Sequence, residues 1–264
     1  MQFVPLTADI APRLVRLFQQ DPPVPIRLWA ILDGIIQGSL LVDDPAQPTA
    51  AAIVDGTEGH AYLGGALPPP FLEEVFQKLR AFQELVVCLW PGDPLLSKLP
   101  GGQTYEGKAI DFSERSPDVG LERMAVFPPG FSLRRIDAAY ARAVPEFDYY
   151  VKMFGGSERA LQSMIGYYLV QGEQIACEAV AAPLCRSMAE LGVETAPAFQ
   201  QMGLATALCA WIIRECEERG YQTFWNAAQQ NDASVALARR LGFRQEQQMS
   251  VLAWPADAHR REII

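Results

Sequence analysis

The chain has 264 residues, half of them hydrophobic and a fifth charged, with a formal net charge of −9; it is long enough for one large domain or two compact ones, in the composition of an ordered soluble protein. Nucleic-acid binders need a basic face to neutralise phosphates, and Lys and Arg form only pairs such as Arg239-Arg240 and Arg260-Arg261, so nucleic acid is not an expected partner. The five cysteines (Cys88, Cys177, Cys185, Cys209, Cys216) include no C-x-x-C spacing, and the histidines are only His60 and His259, which argues against a metal site and fits a reducing cytoplasm.

The N-terminus has no basic segment followed by an apolar run, so no signal peptide is expected. Residues 9–20 and 26–36 read as helices, the first with Leu14, Leu17 and Phe18 at helical spacing and Asp9 as a cap. The apolar segment 26–42 is broken by Arg27, Asp33, Gly34, Gln37 and Gly38, and a bilayer span takes about 20 apolar residues. The expectation is a cytoplasmic protein with no membrane partner. Strands follow at 38–43, 50–54 and 60–63, then a helix at 71–82 behind Pro68-Pro69-Pro70 and a dense apolar strand at 85–90. Residues 91–120 are rich in Pro, Gly, Ser and charge and read mostly as loop, which suggests a boundary near residue 125.

The second half repeats this outline. A strand at 131–136 precedes helical segments over 138–153, then strands at 166–171, 174–183 and 187–195. A helix over 202–219 ends at Gly220, a strand covers 223–228, a helix over 232–241 ends at Gly242, and the last strand is 246–254. The fold class is mixed α/β: a mixed sheet flanked by helices over 126–264, with an N-terminal α/β lobe over 1–125. No residue-level repeat joins the halves, so duplication rests on the order of elements alone.

The informative stretch is the strand ending at Val193-Glu194-Thr195 and the loop Gln200-Gln201-Met202-Gly203-Leu204-Ala205 that opens the 202–219 helix. Gly203 and Ala205 keep the backbone uncluttered where the free N–H groups and positive dipole end of a helix lie, a corner suited to a pyrophosphate. Leu204, Ala207, Leu208, Trp211, Ile212 and Cys216 form one apolar stripe, so the helix packs on a sheet. Downstream, Asn231 is placed to cap a helix through Ser234 and Ala238, and Leu241-Gly242-Phe243 closes it.

This pairing of Q-x-x-G-x-A with N-x-x-S-x-x-x-A-x-x-L-G-F, over residues 187–243, resembles the GNAT superfamily of N-acetyltransferases. The variant with Thr195, Gly203-Leu204-Ala205, Asn231, Ser234 and Ala238 resembles the zwittermicin-resistance-type branch, whose members carry an extra N-terminal lobe. The resemblance implies acetyl-coenzyme A as cosubstrate, transfer to a small-molecule amine by direct attack, and roles for matching residues. Backbone groups of Val193 and Thr195 would pair with the pantetheine arm. Amides from Gln201 through Met202, Gly203, Leu204 and Ala205 to Thr206 would hold the pyrophosphate. Gln200 stands where many relatives have Arg, and Asn231 and Ser234 would touch the cofactor.

A base must relieve the attacking amine of its proton, and Glu190 is the first choice on the strand before the loop, Glu194 the second. The two would share a face by strand alternation unless a bulge shifts the phase. Ala238 occupies the position of the family's usual acidic Tyr, which leaves Tyr167, Tyr168 or water as proton donors. The N-terminal half has no such loop and is expected to cover the site or wall the acceptor pocket. A protein N-acetyltransferase and a non-catalytic acyl-coenzyme A sensor are the competing readings.

Overall fold

The structure, a computed structural model, describes residues 4–6, 10–18, 26–57, 60–79, 85–89, 105–144 and 147–254. The expected cap Asp9 lies outside these residues, as does much of the loop-rich stretch, 91–104. The chain forms two compact units: Met1–Ala109 with Lys152–Gly155 and Gln248–Ile263, and Ile110–Val151 with Gly156–Gln247. The compositional break at residue 125 therefore falls inside the second unit.

In the first unit, strand β1 (Val4–Pro5) is followed by helices α1 (Ala11–Phe18) and α2 (Ile26–Leu32). Strands β2 (Gly38–Val42), β3 (Ala50–Asp55) and β4 (His60–Gly65) form an antiparallel meander. Helix α3 (Pro69–Leu79) then crosses over to β5 (Leu85–Leu89), parallel to β4. Every residue of β3 is buried, as the dense apolar run Ala50–Val54 requires. Its last residue, Asp55, receives Arg27 of α2 in an ion pair of 2.7 Å, both side chains at or below 8% exposure. Two charges so deep in a core persist because each neutralises the other.

The second unit repeats that order. After the short helix α4 (Leu121–Met124), strand β7 (Ser132–Arg135) lies antiparallel to β8 (Ile165–Gln171), with α5 (Ala138–Ala143), α6 (Phe147–Phe154) and α7 (Ser157–Gln162) between them in the chain. The helical segments expected over 138–153 are α5 and α6, and the sequence reading misses α7. Asp137 caps α5 by accepting the amides of Ala139 and Tyr140 at 2.8 and 2.9 Å. Val144 is extended, the conformation favoured before a proline, and Pro145 follows it. Strands β8, β9 (Gln174–Cys185) and β10 (Met188–Thr195) form an antiparallel meander, and α8 (Leu204–Glu218) crosses over to β11 (Gln222–Ala228), parallel to β10. Helix α9 (Asp232–Arg240) leads into β12 (Phe243–Trp254).

One strand was hidden in the loop-like segment: β6 (Tyr105–Arg115). Its neighbour in the second unit is β11, in the order β6-β11-β10-β9-β8-β7. In the first unit the order is β1-β2-β3-β4-β5-β12, so each unit takes its last strand from the other half of the chain. Ile110 and Phe112 enter the second unit's core beside Trp225, Leu208 and Ile212. The charged residues interleaved with them disguise the strand as surface loop.

Candidate functional site

Strands β10 and β11 are paired only at Met188↔Gln222, Ala189↔Thr223 and Glu190↔Phe224. Pairing of β10 with β9 continues to Thr195↔Cys177. Beyond Glu190 the two parallel strands therefore splay, and the β11-facing edge of residues 191–195 has no strand partner among the described residues. Such an edge can accept an extended ligand as an added strand.

The chain leaves β10 through a short 3-10 turn, Pro197–Phe199. Gln200 Nε2 donates to Thr195 O at 3.4 Å, closing the loop on itself. Gln201 has φ of 61° and Gly203 φ of 79°, two left-handed residues that aim the backbone into α8. Helix α8 has Gly203 as cap residue and no side-chain cap, so its first-turn amides depend on an outside acceptor. A Cβ built on Gly203 would meet nothing within 4 Å, so the backbone is open on that side of Gly203. Leu204 is buried and offers only its backbone; Ala205 and Thr206 are half-buried, and Met202 is exposed. The uncapped N-terminus can receive an anionic group and the free edge of β10 an extended one.

Ala189 and Leu191 pack in the core with Leu204, Leu208 and Ile212 of α8, so Glu190, Gly192 and Glu194 share the opposite face. The ladder with β9 shifts register between Ala189 and Leu191 without disturbing that alternation. Glu190 is half-buried, with Oε2 shut off from solvent, and it stands at the last paired position before the splay. Glu194 is exposed and lies opposite Glu178 of β9, which lies opposite Tyr168 of β8. Tyr140 of α5 donates its hydroxyl to Glu178 and packs on the Tyr168 ring with centroids 4.5 Å apart.

The two tyrosines considered as proton donors diverge. Tyr167 lies on the α8 side, its ring 6.5 Å from Trp211, and burial followed by a hydrogen bond to Glu215 pushes its hydroxyl up. It therefore faces away from Glu190. Tyr168 remains on the Glu190 face. Ala238 is fully buried. Asn231 caps α9 by accepting Ser234 N at 3.0 Å, and Ser234 Oγ accepts Trp225 Nε1 at 3.0 Å. The Asn231 amide nitrogen has no partner among the described residues and is free to donate. Thr195 Oγ1 donates to Cys177 Sγ at 3.3 Å; burial pushes the Cys177 thiol up to about 11, so it is no nucleophile at neutral pH.

Sequence reasoning passed over Asp111 of β6 and Asn226 of β11. Asp111 is 3% exposed, and Asn226 Nδ2 donates to its Oδ1. The only signal was a lone acid between Ile110 and Phe112. Among the described residues no three His, Cys, Asp or Glu side chains gather as a metal site would need, and no helix is long and apolar enough to cross a membrane.

Comparison with known proteins bears on this geometry. A curated protein of Bacillus subtilis (strain 168), described as the uncharacterized N-acetyltransferase YdfB, is 23% identical over 238 residues, 85% of this chain and 88% of its own. A crystal structure of a GCN5-related N-acetyltransferase-like protein from Streptococcus suis 89/1591 shares the fold with a TM-score of 0.71 at 23% identity, covering 93% of this chain and 99% of that one. A tandem GNAT protein from the clavulanic acid biosynthesis pathway matches with a TM-score of 0.58 at 13% identity, covering 96% and 97%. The family model described as GNAT acetyltransferase matches residues 16–252, and the chain belongs to that family.

Proposed function

We propose that the second unit binds acetyl-coenzyme A and passes the acetyl group to a primary amine of a small molecule. The observation that carries this reading is the splay after Glu190 leading into the uncapped N-terminus of α8. Acetyl-coenzyme A supplies a thioester already activated for acyl transfer. The edge of β10 at Val193 and Thr195 would hold the pantetheine arm. The amides from Gln201 to Thr206 would meet the pyrophosphate, with Gln200 and the Asn231 amide nitrogen beside them. Ser234, tied to Trp225, would act by holding the Asn231 cap in place.

The amine nitrogen attacks the thioester carbonyl, the C–N bond forms and the C–S bond breaks. The amine's surplus proton goes to Glu190, directly or through water, and the departing thiolate takes one from solvent or from Tyr168. Glu190 suits the task because it is half-buried and stands where the strands part. The acidic chain favours a cationic acceptor at long range.

The first unit is proposed to be a diverged copy without a cofactor site, consistent with the extra lobe of the zwittermicin-resistance-type branch. Its α3 begins where α8 begins in the second unit, but at Pro68-Pro69-Pro70, residues without an N–H. The next amides, of Phe71 and Leu72, are spent on Pro68 O at 2.9 and 3.1 Å. Little remains there to bind a phosphate.

Calorimetry tests both statements. Wild-type protein should bind one coenzyme A per chain, and Gly203→Glu should bind none. Because Gly203 has φ of 79°, any side chain there is strained by about 1–2 kcal/mol; Gly203→Asn, the residue best suited to that conformation after Gly, controls for the strain and should retain most binding. Equal affinity in a folded Gly203→Glu protein, or two similar sites per chain, would refute the assignment.

A further inference from the structure

Asp111 and Asn226 have no role in the scheme above, yet they lie beside it. Ile110 and Phe112 point into the core with α8, so Asp111 between them faces the other way. On β11, Trp225 and Ala227 take the α8 side, which leaves Phe224 and Asn226 on the side of Asp111. Phe224 is the register partner of Glu190. Glu190, Asn226 and Asp111 thus share one face, and Asn226 sits two residues past the last pairing with β10, where the strands have begun to part.

The hydrogen bond between the pair fixes a direction. An ionised carboxylate only accepts, so the Asn226 amide turns its NH2 to Asp111 Oδ1 and its carbonyl away. Burial raises the Asp111 carboxyl to about 6, and the hydrogen bond from Asn226 opposes that rise. A carboxylate buried against one neutral amide is a poor source of stability, but it is an effective means of holding that amide in one orientation. Asn226 is half-buried, and its carbonyl oxygen accepts no hydrogen bond among the described residues. An oriented, reachable acceptor calls for a donor.

We propose that Asn226, oriented by Asp111, receives the acceptor, its carbonyl taking one N–H of a primary amine while Glu190 takes another. This rests on the reading of the chain as an amine acetyltransferase. Two acceptors on one face select for a nucleophile with at least two hydrogens: a primary amine has them, and an alcohol or thiol has one. Asn226 is then a specificity-determining residue and Asp111 a positioning residue behind it.

The test is nuclear magnetic resonance on ¹⁵N-labelled full-length protein with coenzyme A bound, near neutral pH. Titration with n-butylammonium should shift the Asn226 side-chain amide signals. Titration with tetramethylammonium, which has the charge but no N–H, should leave them in place. No shift with butylammonium at high millimolar concentration, or equal shifts with both ions, overturns the proposal. In turnover, Asn226→Leu and Asp111→Leu should raise KM for butylamine by roughly tenfold, the worth of one hydrogen bond, with KM for acetyl-coenzyme A unchanged. A parallel rise in both constants points to structural damage and overturns it. The proposal and the reading it rests on fail separately. Butylamine acetylated while Asn226 stays silent sinks the amine site; butylammonium bound at Asn226 but never acetylated sinks the transferase reading.

Discussion

Glu190 and Glu194 sit on one face of one strand, and their surroundings set them apart. Glu190 has an oxygen closed to solvent at the point of splay, while Glu194 is exposed beside Glu178. A base held against its substrate contributes roughly 100- to 10,000-fold. Glu190→Gln should therefore lower kcat by about that factor, with coenzyme A affinity nearly unchanged. The loss should shrink as pH rises, because more of the amine then arrives deprotonated. Glu194→Gln is the control: a larger loss there, with Glu190→Gln silent over the pH range, would reassign the base. Both carboxylates were visible in the sequence, since their spacing in the strand is local. Their ranking by environment was not, because burial and the end of β11 pairing depend on residues more than 30 positions away. Asp111 was invisible for the same reason, its partner Asn226 lying 115 residues on.

Helix starts in this chain differ in the amides they leave open. Three of them can be compared: α3 opens on prolines, α8 on a glycine with no side-chain cap, and α9 on Asn231, which accepts Ser234 N. The first has few amides to offer, the second leaves its amides for a ligand, and the third satisfies one of its own and keeps an NH2 to donate. Asn231→Ala should cost about 1 kcal/mol of stability, a fall in Tm of about 2–4 °C for a protein of this size. It should also weaken coenzyme A binding through loss of the amide donor. Thermal melts read the first effect and calorimetry the second; a lowered Tm with unchanged affinity would leave Asn231 a cap only. These starts were legible because caps, glycines and prolines act locally. The amphipathic stripe of α8 and the dense run of β3 were legible for the same reason. Strand β6 was not, because its apolar residues Ile110 and Phe112 are separated by Asp111 and followed by Ser113, Glu114 and Arg115, and it becomes a strand through pairing with a distant neighbour, β11.

At the scale of the molecule, each unit has the order strand, helices, three-strand meander, crossover helix, parallel strand, and each completes its sheet with a strand from the other half of the chain. The cut suggested by composition, near residue 125, would separate β6 from the unit it serves. Ile110 is 5% exposed and Phe112 fully buried, and burying each contributes about 1.5–3 kcal/mol. Arg115 is bound to Glu217 of α8, and Gln222 Nε2 to Ser113 O at 3.0 Å. Losing these from a unit whose total stability is about 5–15 kcal/mol should unfold it, and β11 would be left as an open edge prone to aggregate. The core of the second unit draws all its residues from Ile110 to Phe243. A fragment spanning 105–247 should therefore melt cooperatively by circular dichroism and bind coenzyme A with near full-length affinity. The fragment 126–264, though only slightly different in length, should do neither. If 126–264 folds and binds coenzyme A as well as 105–247, then β6 is dispensable to the cofactor site and Asp111 cannot be orienting Asn226 in the way the shared face implies.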